Sequence, residues 1–277
     1  MRRLVFVLAD GLRPDAITPS RMPSLHALSG AYTAARDVRT VRPSATVAAL
    51  ASLATGVGPD THRLIESGLG FLPRLRTLRP IARELARNGI PTDVVTTELG
   101  PATLPITWTL ATTAGVRRVI SSGNRARETA AEACRVLEER EARMLFVYLP
   151  DCDRTGHAHG WISDRYLDAA AEVDAAIGLL SPWTDETVFL VTADHGGGGV
   201  RPDDHDEPHP TNDHIPLVVA GPGVGRRRTL TRQLSILDLP ATILWWFGLD
   251  VPACYEGRPV TEAFEATPAP VAAALPA

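Results

Sequence analysis

Paired cysteines, long apolar runs and an excess of basic charge are all scarce in this chain. The three cysteines, Cys134, Cys152 and Cys254, are odd in number and far apart. That excludes a disulfide framework and favours a reducing, cytoplasmic compartment. No run approaches the ~20 apolar residues of a membrane span, so no membrane role is expected. The net charge of −4 and pI near 6.1 argue against a nucleic-acid polymer or an anionic membrane surface as partner. Arg2 and Arg3 precede an apolar stretch at 4–9. It is short for a secretory leader, and no cleavage-type segment follows.

What is present is ample apolar material, 44% of 277 residues, enough for one large core. The pattern predicts a single domain over 1–265, followed by an Ala/Pro-rich disordered tail over 266–277. Apolar, β-branched runs predict buried strands at 4–9, 92–97, 144–149, 188–192 and 216–220, with a weaker one at 36–41. Helical spacing predicts helices at 23–29, 47–54, 78–88, 125–143, 163–180 and 235–247. Residues 98–124, rich in Thr, Pro and Gly, fit neither pattern and read as an insertion bordering a site. Alternating strands and helices predict an α/β fold with a mostly parallel central sheet covered on both faces.

Three of these strands end alike. An acid follows each apolar run: Asp10 after the first, Asp153 after the strand at 144–149, and Asp194 with His195 after the strand at 188–192. Parallel sheets bind ligands beyond the carboxyl ends of their strands, so these groups should converge on one edge. Buried carboxylates and imidazoles are costly unless something pairs with them. Several histidines in the same polar segments, His157 and His159 among them and also His205, His209 and His214, supply more donors, and the set suits two divalent cations of the zinc class, with manganese or iron as alternatives. A pair of such cations can clamp the oxygens of an in-line displacement at phosphorus. Thr46, at the expected N-cap of the helix over 47–54, adds a hydroxyl that a cation could hold as a nucleophilic alkoxide. Ser44 competes with Thr46. Asp151 competes with Asp153, because alternation in an extended segment points both the same way. His209 and His214 compete with His205. His26 and His62 read as structural, His159 as a wall residue, Cys152 as small buried packing, and Trp245 and Trp246 as core. Trp108 could pack on a substrate ring.

Five pieces in this order resemble the alkaline phosphatase superfamily, and within it the type I phosphodiesterase/nucleotide pyrophosphatase branch. They are Asp10-Gly-Leu-Arg-Pro-Asp15; Pro43-Ser-Ala-Thr46 with Thr55-Gly56 and Pro59-Asp-Thr-His62; Asp153-x-x-Gly156-His157-x-x-Gly160; Thr192-Ala-Asp-His-Gly-Gly197; and His205 ten residues before Ile215-Pro216. The resemblance implies one cation on Asp10, Thr46, Asp194 and His195, and a second on Asp153, His157 and His205. It also implies that Thr46 attacks phosphorus to form a phosphothreonyl intermediate, which water then hydrolyses. The implied substrate is a small phosphodiester or nucleotide pyrophosphate. A phosphomonoester, a phosphonate and a non-catalytic binding role are the alternatives. A phosphosugar mutase lacks an evident cap segment here, and a sulfatase lacks its Cys or Ser at position 46. The chain departs from the branch at Val47-Ala48-Ala49, at Arg63 where Gly is usual, and in its phosphate-contacting Asn, for which Asn88 and Asn124 are the candidates.

Overall fold

The computed structural model describes residues 2–64, 77–99 and 103–269. Its frame is a nine-stranded sheet. In chain order the strands are β1 (Leu4–Ala9), β2 (Thr33–Arg39), β3 (Thr92–Thr97), β4 (Arg118–Ser122), β5 (Met144–Leu149), β6 (Val188–Thr192), β7 (His214–Ala220), β8 (Arg228–Leu230) and β9 (Leu234–Ser235). Across the sheet they run β4-β3-β5-β1-β6-β7-β2-β8, and β9 pairs with β2. Only the β7 pairings, with β6 and β2, are antiparallel. The mostly parallel sheet expected from the alternating pattern is therefore what forms.

β1 holds the middle because all six of its residues are apolar and buried on both faces. Its register aligns the site. Ala9 pairs with Leu149 of β5, and Leu8 pairs with Thr192 of β6. The three strands thus end level, and the acids that follow them leave from one edge. The backbone continues the alignment: Asp10 N–H donates to Leu149 O at 2.9 Å, and Asp153 N–H to Asp10 O at 3.0 Å.

The helices are α1 (Pro23–Ala31), α2 (Thr46–Thr55), α3 (Pro59–His62), α4 (Ile81–Arg87), α5 (Thr103–Thr113), α6 (Ala126–Glu139), α7 (Asp151–His159), α8 (Asp164–Leu180), α9 (Pro210–Asp213) and α10 (Asp238–Trp246). They cover both faces. α8 packs on α1, α6 and α7; α10 packs on α2 and α4. The stretch over 98–124 carries α5 and β4, and β4 pairs in parallel with β3 at the sheet edge. Propensity misses this strand because its charge is handled from a distance. Arg117, just before β4, and Arg118 both bind the fully buried Asp93 carboxylate of β3, at 2.6 and 2.7 Å. Of the expected tail, residues 270–277 lie outside the described residues. Ala269 is placed, and its carbonyl accepts from the Arg2 guanidinium at 2.6 Å. Among the described residues no helix is long and apolar enough to cross a membrane.

Candidate active site

Local structure decides which side chains reach the common edge. The segment after β5 is helical, not extended. α7 places Asp153 and His157 one turn apart, with Asp153 Oδ1 3.4 Å from His157 Nε2. Helical periodicity turns Asp151 away, and its Oδ1 accepts from Ala126 N–H at the start of α6. Thr46 is the first residue of α2, not its cap. Ala45 occupies the cap position with no side-chain bond. Released from capping, the Thr46 hydroxyl lies 3.1 Å from His195 Nε2. Ser44 is committed elsewhere: its Oγ donates to His205 O, and its own carbonyl accepts from His205 Nδ1.

The three imidazoles share one arrangement. Nδ1–H of His195, His205 and His157 donates to Gly196 O, Ser44 O and Asp203 O, at 2.8, 2.6 and 2.9 Å. Each therefore turns the lone pair of Nε2 inward. The carboxylates do likewise. Asp194 Oδ1 accepts from Gly11 N–H and His195 N–H, and Asp10 Oδ2 accepts from the Tyr148 hydroxyl. The inward oxygens, Asp10 Oδ1, Asp153 Oδ1 and Asp194 Oδ2, are buried without any hydrogen-bond partner among the described residues.

Asp10 Oδ1 and Asp194 Oδ2 lie 3.3 and 3.6 Å from His195 Nε2. Asp153 Oδ1 lies 3.7 Å from His205 Nε2 and 4.0 Å from His195 Nε2. His157 Nε2 and His205 Nε2 face each other at 3.1 Å. Burial, then the Asp194 and Asp153 charges, hold the Asp10 carboxyl well above the ordinary carboxylate range. Burial raises Asp153 as well, and burial with the neighbouring His195 lowers His205. Unpartnered carboxylate oxygens and opposed imidazole lone pairs repel one another unless positive charge lies between them. This donor set fits divalent cations, and two overlapping groups, Asp10–Asp194–His195 and Asp153–His195–His205, have the reach to ligate.

All seven residues singled out by sequence thus meet at one edge. The competitors do not. His209 caps α9 through Thr211, and His214 lies 3.6 Å from Asp37. Buried His62 bonds Ser52. Asn88 donates to Glu84 O within α4, and Asn124 accompanies the start of α6, where its N–H meets Glu128. Trp108 stands 53% exposed on α5. Two aromatic residues at the site escaped the sequence reading. Tyr148 sits one residue short of the end of β5, level with Leu8 of β1; a phenol in an otherwise apolar strand was the available signal. Trp161 directly follows Gly160, where the recognised spacing stops.

Comparison with solved structures places the fold. The chain superposes on a phosphonate monoester hydrolase from Silicibacter pomeroyi with TM-score 0.72 and 18% identity, covering 96% of this chain and 77% of that one. It superposes on human ectonucleotide pyrophosphatase/phosphodiesterase 5 with TM-score 0.75 and 12% identity, covering 96% and 100%. These likenesses show a shared fold, the mostly parallel sheet with its helices. Residues 4–69 and 113–232 match the type I phosphodiesterase/nucleotide pyrophosphatase family. The chain belongs to that family of phosphohydrolases. Among curated relatives, GPI ethanolamine phosphate transferase 1 of Saccharomyces cerevisiae is 31% identical over 93 residues, which is 31% of this chain but only 10% of the relative. The Aspergillus oryzae counterpart is 34% identical over 148 residues, 43% of this chain and 14% of that relative.

Proposed function

We propose that the protein is a cation-dependent phosphodiesterase in which Thr46 is the nucleophile. One observation carries this reading: the Thr46 hydroxyl stands 3.1 Å from His195 Nε2, at the rim of a cluster whose inward carboxylate oxygens lack partners. Asp10, Thr46, Asp194 and His195 would hold one divalent cation, and Asp153, His157 and His205 a second. Zinc is the best match to carboxylate and imidazole donors, and manganese or iron the next. When bound, these ions supply Lewis-acid charge for the attacking and leaving oxygens.

The chain's own part is a displacement in two halves. Thr46 Oγ forms a bond to phosphorus as the bond to the leaving oxygen breaks, and the hydroxyl proton ends on the departing alcohol. Water then attacks the phosphothreonine, restores the Thr46 hydroxyl and releases a phosphomonoester. The backbone carbonyls on each Nδ1 keep the imidazoles from turning as charge develops. Small phosphodiesters or nucleotide pyrophosphates are the proposed substrates, in a cytoplasmic setting.

The transferases among the relatives favour a second reading, in which an alcohol takes the place of water in the second half. A panel separates these. Zinc- or manganese-loaded protein is given p-nitrophenyl phosphate, bis-p-nitrophenyl phosphate, the p-nitrophenyl ester of thymidine monophosphate and a phosphonate ester, each with and without added ethanolamine. Highest kcat/KM on a diester supports the phosphodiesterase. Highest kcat/KM on the monoester or the phosphonate overturns that substrate choice. A phosphorylated alcohol product identifies transfer.

A further inference from the structure

We infer that Trp161 is a positioning residue that sets His157 and His205 for the second cation; this rests on the two-cation reading above. Trp161 is only 6% exposed and reaches the segments that carry Asp10, His157 and His205. Its backbone N–H donates to Pro202 O at 2.7 Å, which ties the turn after α7 to the loop bearing His205. Its Nε1–H donates to Gly11 O at 2.9 Å, next to Asp10 in sequence. The Tyr166 hydroxyl donates to the same oxygen at 2.8 Å.

The indole also meets both imidazoles edge-on. The ring centroids lie 5.1 Å from His157 at 82° and 5.8 Å from His205 at 78°. At such angles the indole blocks rotation of either imidazole about its Cβ–Cγ bond, and that rotation would carry Nε2 away from Asp153 Oδ1. The glycines of two recognised pieces make room for it. A Cβ at Gly156 would come within 2.5 Å of the indole and at Gly197 within 2.1 Å; one at Gly198, just past the second piece, would come within 2.7 Å of the Trp161 Cβ. Gly156 immediately precedes His157, and Gly197 lies two residues after His195. The glycines are therefore explained by the indole, and the indole by the imidazoles it orients.

Loss of an outer partner of a metal-ligating histidine typically weakens metal affinity ~10–100-fold. The test is a competition titration of the zinc-loaded full chain with a chelator of known affinity, on wild type, His157→Ala, Trp161→Phe and Trp161→Leu. Wild type is expected to release two equivalents in separate steps, and His157→Ala identifies which belongs to the second site. In Trp161→Leu that equivalent alone should leave ~10–100-fold more easily. Trp161→Phe, which keeps a ring but lacks the N–H, should show a smaller shift of the same equivalent. If Trp161→Leu does not fold, the Phe variant decides. Unchanged release of both equivalents, or equal weakening of both beside a lowered Tm, would mark Trp161 as general packing and overturn the inference. Fewer than two equivalents in wild type would overturn the two-cation reading itself, and this inference with it.

Discussion

At the scale of single residues, the site is a set of charges held in place before any substrate arrives. Thr46 makes no cap bond, so its removal should leave α2 intact. Thr46→Ala is therefore expected to keep the melting temperature of the chelated protein and, with one of its four donors gone, to hold the Asp10 cation less tightly, while kcat at saturating zinc falls on the order of 10⁴-fold or more, as for loss of other nucleophiles. Mass spectrometry of quenched wild-type reactions should find a phosphate on Thr46 that the variant lacks. Tyr148 is a subtler case. Its hydroxyl is the donor to the outer oxygen of Asp10, and burial, then the Asp10 and Asp194 charges, push its own ionisation far up, so it stays a proton donor. Tyr148→Phe should weaken the Asp10 cation ~10–100-fold in chelator competition and leave the other unchanged. Equal retention of both cations would remove Tyr148 from the site's support.

At the scale of elements, geometry at the ends matters more than propensity within. α2 closes at Gly56, whose φ of +71° is left-handed. The ring of Tyr255 lies on this glycine, and an added Cβ would come within 2.3 Å of it. Gly56→Ala must bear both backbone strain and overpacking, together roughly 2 kcal/mol or more. Thermal unfolding should show a clearly lower Tm, with zinc stoichiometry kept. In β1, Phe6 is buried and stacks on Phe146 of β5 at 5.4 Å. Phe6→Ala should cost roughly 3–5 kcal/mol, measured by denaturant midpoint. Elements with strong periodicity or continuous apolar runs were legible: β1, β3, β5, β6, α6 and α8 lie within a few residues of expectation. α7 was not, because Asp151-Cys-Asp-Arg-Thr-Gly-His-Ala-His159 has no apolar face and a glycine at its middle. Its helix is held by tertiary contacts, including the Asp153 N–H bond to Asp10 O. β4 was hidden for a related reason, the arginines at its start, Arg117 and Arg118, being neutralised by Asp93, 25 residues before Arg118.

At the scale of the whole molecule, the site is a stability liability that cations should relieve. Asp10 and Asp153 are held above the ordinary carboxylate range, chiefly by burial. A group with a raised folded pKa binds its proton more tightly when folded. The stability it lends is complete below its unfolded value of ~4 and is lost as pH rises through the folded value. Chelated protein should therefore melt at progressively lower temperature as pH rises above ~4. Zinc-saturated protein should show the opposite slope, since protons compete with metal for the same donors. At ~1,000 times Kd, zinc should add about 4 kcal/mol, or roughly 10 °C at this chain length. Calorimetric scans of both forms from pH 4 to 8 test it; parallel slopes would mean that these carboxylates do not ligate.

The sequence by itself determined the strand-then-acid pattern, the parallel sheet, and hence that Asp10, Asp153 and Asp194 leave from one edge, because burial on both faces and strand polarity are local and periodic properties. It also carried the family, through five spaced pieces. The five pieces pointed to Asp153, Thr46 and His205, and tertiary structure made the choices that commit Asp151, Ser44, His209 and His214 to partners elsewhere. Those choices depend on which way a helix turns and on which carbonyl takes each Nδ1 proton. Tertiary structure alone also brought in Tyr148 and Trp161, whose partners Asp10 and Gly11 lie about 140 and 150 positions away in the chain. Contacts across that distance follow from sheet register and close packing, and neither is written in a local pattern of residues.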